Sequence, residues 1–104
     1  MSLRDQQSEF VKAVGMLITH AYFLGYELSF GDTYPGKHRH KKKSFHRKGL
    51  AIDINLFQDD FYLTASSDHL PLGTYWESLG GTWGGRFEDA DGNNDGNHYS
   101  WGEE

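Results

Sequence analysis

Apolar side chains at Leu3, Phe10, Val11, Val14, Leu17, Ile18, Ala21 and Leu24 recur at intervals of three and four, the spacing that turns one face of a helix toward a core. The pattern predicts a helix from Leu3 to Leu24, with Ser2 as its N-cap and Gly25 as its stop. His20, between Thr19 and Ala21, reads as a surface or capping histidine. Tyr26 to Phe30 then alternates as a strand does, until Gly31-Asp32 breaks it. Residues 31–49 carry no periodicity; Gly31, Pro35, Gly36 and Gly49 mark them as a loop.

After Gly49 the period changes to two. Leu50, Ile52, Ile54 and Leu56 alternate with Ala51, Asp53, Asn55 and Phe57, so a strand here sends its aliphatic set inward and leaves Asp53 on the opposite face between a small and a polar neighbour. Gln58-Asp59-Asp60 reads as a turn and Phe61 to Thr64 as the returning strand of a hairpin. Ser66 to Asp68 start a second helix, which tolerates Pro71 in its first turn, buries Leu72, Tyr75, Trp76 and Leu79, and ends at Gly80-Gly81. Trp83, Gly84, Gly85 and Phe87 read as a glycine-aromatic turn packed on the sheet. A polar loop from Glu88 to Asn97 then leads into a short strand, His98 to Trp101. A chain of 104 residues with these elements fits one small domain, residues 1–104.

Composition narrows the chemistry. Cysteine is absent, so disulfides and thiolate metal sites are excluded and any transition metal must be held by nitrogen and oxygen. No apolar run is long enough to span a bilayer and the charged N-terminus does not resemble a signal peptide, so the expectation is cytoplasmic synthesis and no membrane insertion. The net charge of -5 hides an asymmetry, because Lys37, Arg39, Lys41, Lys42, Lys43, Arg47 and Lys48 gather seven of the ten basic side chains into one stretch. Such a stretch fits a solvated, self-repelling loop, or a patch for polyanions. The acidic remainder argues against nucleic acid as the partner. Nothing in the pattern fixes an oligomeric state.

Four residues could make a hydrolytic site. His46 and Asp53 lie seven positions apart, Asp95 and His98 three apart. A catalytic zinc takes three protein ligands and keeps a position open; His46, Asp53 and His98 supply two nitrogens and an oxygen, and Asp95 then stands near the metal as a general base. From spacing alone the same side chains also fit surface histidines and a strand-end acceptor. His38 and His40, lacking a third donor nearby, read as titrating loop charges. Asp91-x-Asn93-x-Asp95-Gly96 matches the first half of a calcium loop of the EF-hand kind, but the twelfth position is Gly102 and flanking helices are absent, so Ca2+ is not the expected ion.

Ser44-x-His46-x-x-Gly49-x-Ala51-x-Asp53 resembles the signature of the zinc D-Ala-D-Ala carboxypeptidases of the VanY and VanX type, and Asp95-x-x-His98 resembles their second motif. Aspartate rather than glutamate before that histidine, and the run from Tyr75 to Phe87, look more like the phage endolysin branch, the L-alanyl-D-glutamate peptidases. The resemblance runs from about Gly25 onward. It implies a compact α+β fold shared with the hedgehog signalling domain, in which a small antiparallel sheet carries the ligands, one Zn2+ per chain held by His46, Asp53 and His98, Asp95 as base, and Ser44 as a hydrogen-bonding group for substrate or for the residues around the metal. It also implies structural roles for Gly49 and Ala51 and, as substrate, an amide bond of the peptidoglycan stem peptide, either D-Ala-D-Ala or L-Ala-D-Glu. A phage or prophage lysis enzyme, made without a signal peptide and acting on the cell wall after release, fits this picture. One feature departs from the pattern. Relatives commonly carry an arginine directly after a tyrosine in the loop following the strand at 26–30, where Tyr34 is followed here by Pro35-Gly36; Arg39 and Arg47 are the candidates to replace it. The alternative implied by that departure is a catalytically impaired metal-binding domain that binds cell wall or a partner.

Overall fold

The structure, a computed structural model, describes residues 1–31, 48–88, 92 and 94–102. Helix α1 spans Leu3–Phe23. It starts at a reciprocal cap, in which Ser2 Oγ accepts from the Asp5 amide at 3.1 Å while the Asp5 carboxylate accepts from the Ser2 amide at 3.3 Å. It ends where Gly25 takes a φ of +93°, which a side-chain-bearing residue adopts only with strain. Phe10, Ala13, Leu17 and Ala21 form its buried stripe.

Strand β1 is Glu27–Phe30, β2 Ala51–Gln58, β3 Phe61–Leu63, β4 Thr82–Trp83 and β5 His98–Ser100. Among the described residues all pairings are antiparallel, and the sheet runs β1-β2-β5-β4 with β3 also on β2. The fold is α+β, as expected from the sequence. The β2–β3 turn is a two-residue loop, Asp59-Asp60, with φ of 52° and 68°. Both residues are left-handed, the conformation that matches the twist of a tight hairpin, and aspartate tolerates it better than most residues.

The long strand β2 organises the sheet. One edge takes β1, from Ile54 opposite Phe30 to Phe57 opposite Glu27. The other edge is divided: Ala51, Ile52 and Asp53 face β5, while Leu56, Phe57 and Gln58 face β3. Between these two partners the Ile54 amide donates to the Asn97 carbonyl at 2.9 Å. The gap left where β3 and β5 part becomes the cleft described below.

Alternation along β2 works as its sequence predicts. Leu50, Ile54 and Leu56 are buried and Ile52 packs against the same core, leaving Asp53 and Asn55 on the other face. A short 3-10 turn, Ser66–His69, precedes α2, Leu70–Ser78. The sequence places the helix start at Ser66 to Asp68. The first turn there is instead the tighter kind, closed by the Ala65 amide donating to the Asp68 carboxylate at 3.1 Å, and Pro71 then occupies the first α turn, where its missing N–H leaves no bond unmade.

Trp76 of α2 ties the layers together. Its ring meets Phe10, Tyr99 and Trp101 edge to face, and its indole N–H donates to the Ser100 carbonyl at 2.9 Å. Gly81 must be glycine here, because a Cβ would stand 2.1 Å from the Trp76 indole nitrogen. His20 stacks on Tyr75, with ring centroids 3.9 Å apart, and so covers α2 from the end of α1. Among the described residues no helix is long and apolar enough to cross a membrane.

Candidate active site

Asp53 and His98 are direct partners across the β2–β5 ladder. Because alternation sends Ile52 and Tyr99 to the core, it sends both of these side chains to the other face. His98 Nδ1 lies 3.4 Å from Asp53 Oδ1, and the imidazole is only 7% exposed. Phe87 stands beside the imidazole, ring centroids 5.6 Å apart, which fulfils the expectation that this aromatic packs on the sheet.

The separation of the two donors bears on a metal. Two ligands of a tetrahedral zinc, each about 2.0–2.1 Å from the ion, stand roughly 3.3–3.4 Å apart. Asp53 and His98 have the donor chemistry and the spacing for two of three ligand positions. Among the described residues no set of three or more acids and histidines converges. His46, the third ligand expected from the sequence, lies outside the described residues, as do Ser44, Arg39, Arg47 and the Tyr34-Pro35-Gly36 stretch. Asp91 and Asn93 of the calcium-like run lie outside them too.

Asp95 sits at the head of a tight turn into β5, with its amide donating to the Gly84 carbonyl at 2.9 Å and its carbonyl accepting from the His98 amide at 3.0 Å. The turn is clamped from two further sides. Ser66 Oγ accepts from the Gly96 amide at 2.9 Å, and the Trp83 indole N–H donates to the Gly96 carbonyl at 2.7 Å. Both glycines of this clamp are demanded by close approach. A Cβ on Gly84 would stand 2.1 Å from the Asp95 carbonyl oxygen, and one on Gly96 would stand 2.5 Å from Ser66 Cα. Arg86 holds the turn after Trp83 by two hydrogen bonds to the Glu77 carboxylate on α2, at 3.1 and 3.0 Å; these bonds raise its pKa.

Asp95 lines a cleft of about 260 Å³ in the gap between β3 and β5. Asn55 and Tyr62 form one wall, the Tyr62 hydroxyl donating to Asn55 Oδ1 at 3.3 Å. Ser66 and His69 form the other. His69 is buried, and that burial lowers its pKa against a smaller raising effect from Asp68. Sequence reasoning missed Ser66, His69, Trp83, Gly84 and Gly96 as parts of this site. The glycines alone left a trace, in the Trp83-Gly84-Gly85 run and the Asp95-Gly96 pair, but their neighbours belong to distant segments. Gly49 takes a φ of +70° at the turn into β2, a structural role of the kind the resemblance implies.

The structure thus pairs a carboxylate and an imidazole across two central strands and sets a second carboxylate on a clamped turn beside a polar cleft. The profile of the D-alanyl-D-alanine carboxypeptidase family matches residues 37–101, more than half of the chain, and the chain belongs to this peptidase family. No curated protein matches the chain.

Proposed function

We propose that residues 1–104 form one zinc-dependent peptidase domain that hydrolyses an amide bond of peptidoglycan stem peptides, at the D-Ala-D-Ala or the L-Ala-D-Glu linkage, and that it is a lysis enzyme of phage or prophage type. The observation that carries the reading is the 3.4 Å approach of His98 Nδ1 to Asp53 Oδ1 across adjacent strands, the spacing of two ligands on one tetrahedral ion. Membership of a D-alanyl-D-alanine carboxypeptidase family supports the substrate class. The Asp95-x-x-His98 motif supports the endolysin branch, whose members act on the wall after release from the cytoplasm.

In this reading His46, Asp53 and His98 hold the ion, which when bound supplies Lewis-acid activation of water and of the scissile carbonyl. The chain's own residues do the rest. Asp95 takes the proton of the attacking water and returns it to the leaving amine, so that proton count and charge balance over the cycle. The Gly84, Ser66 and Trp83 contacts to residues 95 and 96 fix that carboxylate's backbone, and the cleft beside it receives the peptide. Arg39 or Arg47 stands in for the substrate-holding arginine missing after Tyr34.

Metal content and hydrolysis, measured together, test the reading. Purified protein is expected to carry about one zinc per chain and to release peptide products from peptidoglycan. His98→Ala loses both the metal and the activity, whereas Asp95→Ala keeps the metal and loses only the activity. Hydrolysis retained by both variants overturns the mechanism, and zinc binding without any product points to a domain that only binds the wall.

A further inference from the structure

His69 closes the Ser66–His69 turn, is only 3% exposed and lines the same cleft as Asp95. Its ring Nδ1 lies 2.8 Å from the Tyr99 hydroxyl. Tyr99 points into the core, 0% exposed, and among the described residues its hydroxyl has no second hydrogen-bond partner. The direction of this bond therefore decides where the proton of the imidazole sits.

Two arrangements exist. If Nδ1–H donated to the phenol oxygen, the phenol proton would be left without an acceptor in a dry core, an unfavourable state for a buried donor. If the phenol donates to Nδ1, both groups are satisfied and the imidazole carries its proton on Nε2. Burial lowers the His69 pKa and so keeps the ring neutral in either arrangement, leaving the choice to the hydrogen bond itself. With Nδ1 engaged, Nε2–H is the ring's remaining hydrogen-bonding group.

We propose that His69, fixed in its Nε2–H form by Tyr99, is a substrate-binding residue that donates a hydrogen bond to a main-chain carbonyl of the peptide in the cleft beside Asp95. The proposal rests on the peptidase reading above and deepens it by naming what seats the peptide. A neutral donor suits a carbonyl oxygen, because no charge is left uncompensated in a desolvated site. The nearby described lining, Asn55, Thr64, Ser66 and Asn97, is of the same uncharged polar kind and complements a peptide backbone. A terminal carboxylate, by contrast, would meet the negative charge of Asp95 there.

The experiment has two arms. Nitrogen shifts of the labelled imidazole in the free protein distinguish the tautomers, and the expected result is Nε2–H. Adding a synthetic peptide that spans both the L-Ala-D-Glu and the D-Ala-D-Ala linkages to the Asp95→Asn protein is expected to shift the Nε2 proton resonance. In the kinetic arm, His69→Asn keeps an acceptor for Tyr99 but has no N–H at the position of Nε2, and is expected to raise KM roughly tenfold with kcat nearly unchanged. His69→Gln, which replaces an N–H near the Nε2 position, recovers most of that loss. An Nδ1–H tautomer, an unmoved Nε2 resonance with peptide bound, or a wild-type KM in His69→Asn overturns the proposal. Absence of hydrolysis by the wild-type protein overturns the peptidase reading instead, and the resonance arm still decides the role of His69.

Discussion

Gly84→Ala tests how the turn that carries Asp95 is held in place. Gly84 is buried at the start of the turn Gly84–Arg86, and the Cβ it lacks would stand 2.1 Å from the Asp95 carbonyl oxygen and 2.7 Å from His98 Cβ. Its φ is not left-handed, so the effect of alanine is steric rather than a backbone preference. Contact at 2.1 Å cannot be relieved by turning a side chain, since the partner is main chain, and the two backbones must part by roughly 1 Å. Overpacking of this kind costs about 1–3 kcal/mol. For a domain of this size each kcal/mol lowers Tm by about 4–8 °C, so thermal unfolding is expected to shift down by roughly 5–20 °C. The same displacement weakens the 2.9 Å bond from the Asp95 amide to Gly84 and moves the carboxylate, and a misplacement near 1 Å costs about a hundredfold in turnover. The assay is thermal unfolding by circular dichroism, paired with peptide hydrolysis on the same preparation. A Gly84→Ala protein with unchanged Tm and unchanged rate would refute the packing of the Asp95 turn against Gly84.

Gly15→Ala is the matching control: it lies inside α1 with nothing within 4 Å of the new Cβ, so the better helix former is expected to raise stability by up to about 1 kcal/mol, read as a higher Tm. A pH dependence follows from His69. An unfolded histidine titrates near 6.5, and desolvation lowers the folded value, so as pH falls below about 6.5 the unfolded chain gains a proton that the folded chain refuses. Stability contributed by this group is therefore full above that pH and declines below it, by at most about 1.4 kcal/mol per pH unit until the folded pKa is reached. Subtracting the pH profile of Tm for His69→Gln from that of the wild type isolates the effect, and parallel profiles would refute it.

Local pattern carried much of the fold. The three-and-four spacing of Phe10, Val14, Leu17 and Ala21 located α1, with Ser2 at its cap and Gly25 at its end, because a helix is built from neighbours along the chain. The period-two run after Gly49 fixed which face of β2 is apolar, and so set Asp53 apart from the core before any partner strand was known. Pairing was harder to read. The spacing of Asp95 and His98 named two groups without saying that β5 would lie against residues 51–53, with His98 facing Asp53. That register depends on Trp76 and Tyr99 packing together and on Trp101 bonding back to Leu50, contacts between segments far apart in the chain.

By itself, then, the sequence determined the helix faces, the hairpin, the absence of any thiol ligand and the chemical types available to the site, since each depends on composition or on a period of a few residues. Tertiary structure alone decided that β3 and β5 divide one edge of β2 and leave a cleft between them. It also decided that Gly84 and Gly96 must lack side chains, and that His69 reaches Tyr99 across thirty positions of chain. The physical reason is the same in each case. A cleft, a close approach and a buried hydrogen bond are properties of two surfaces meeting, and no period along one strand or helix records which surface it will meet.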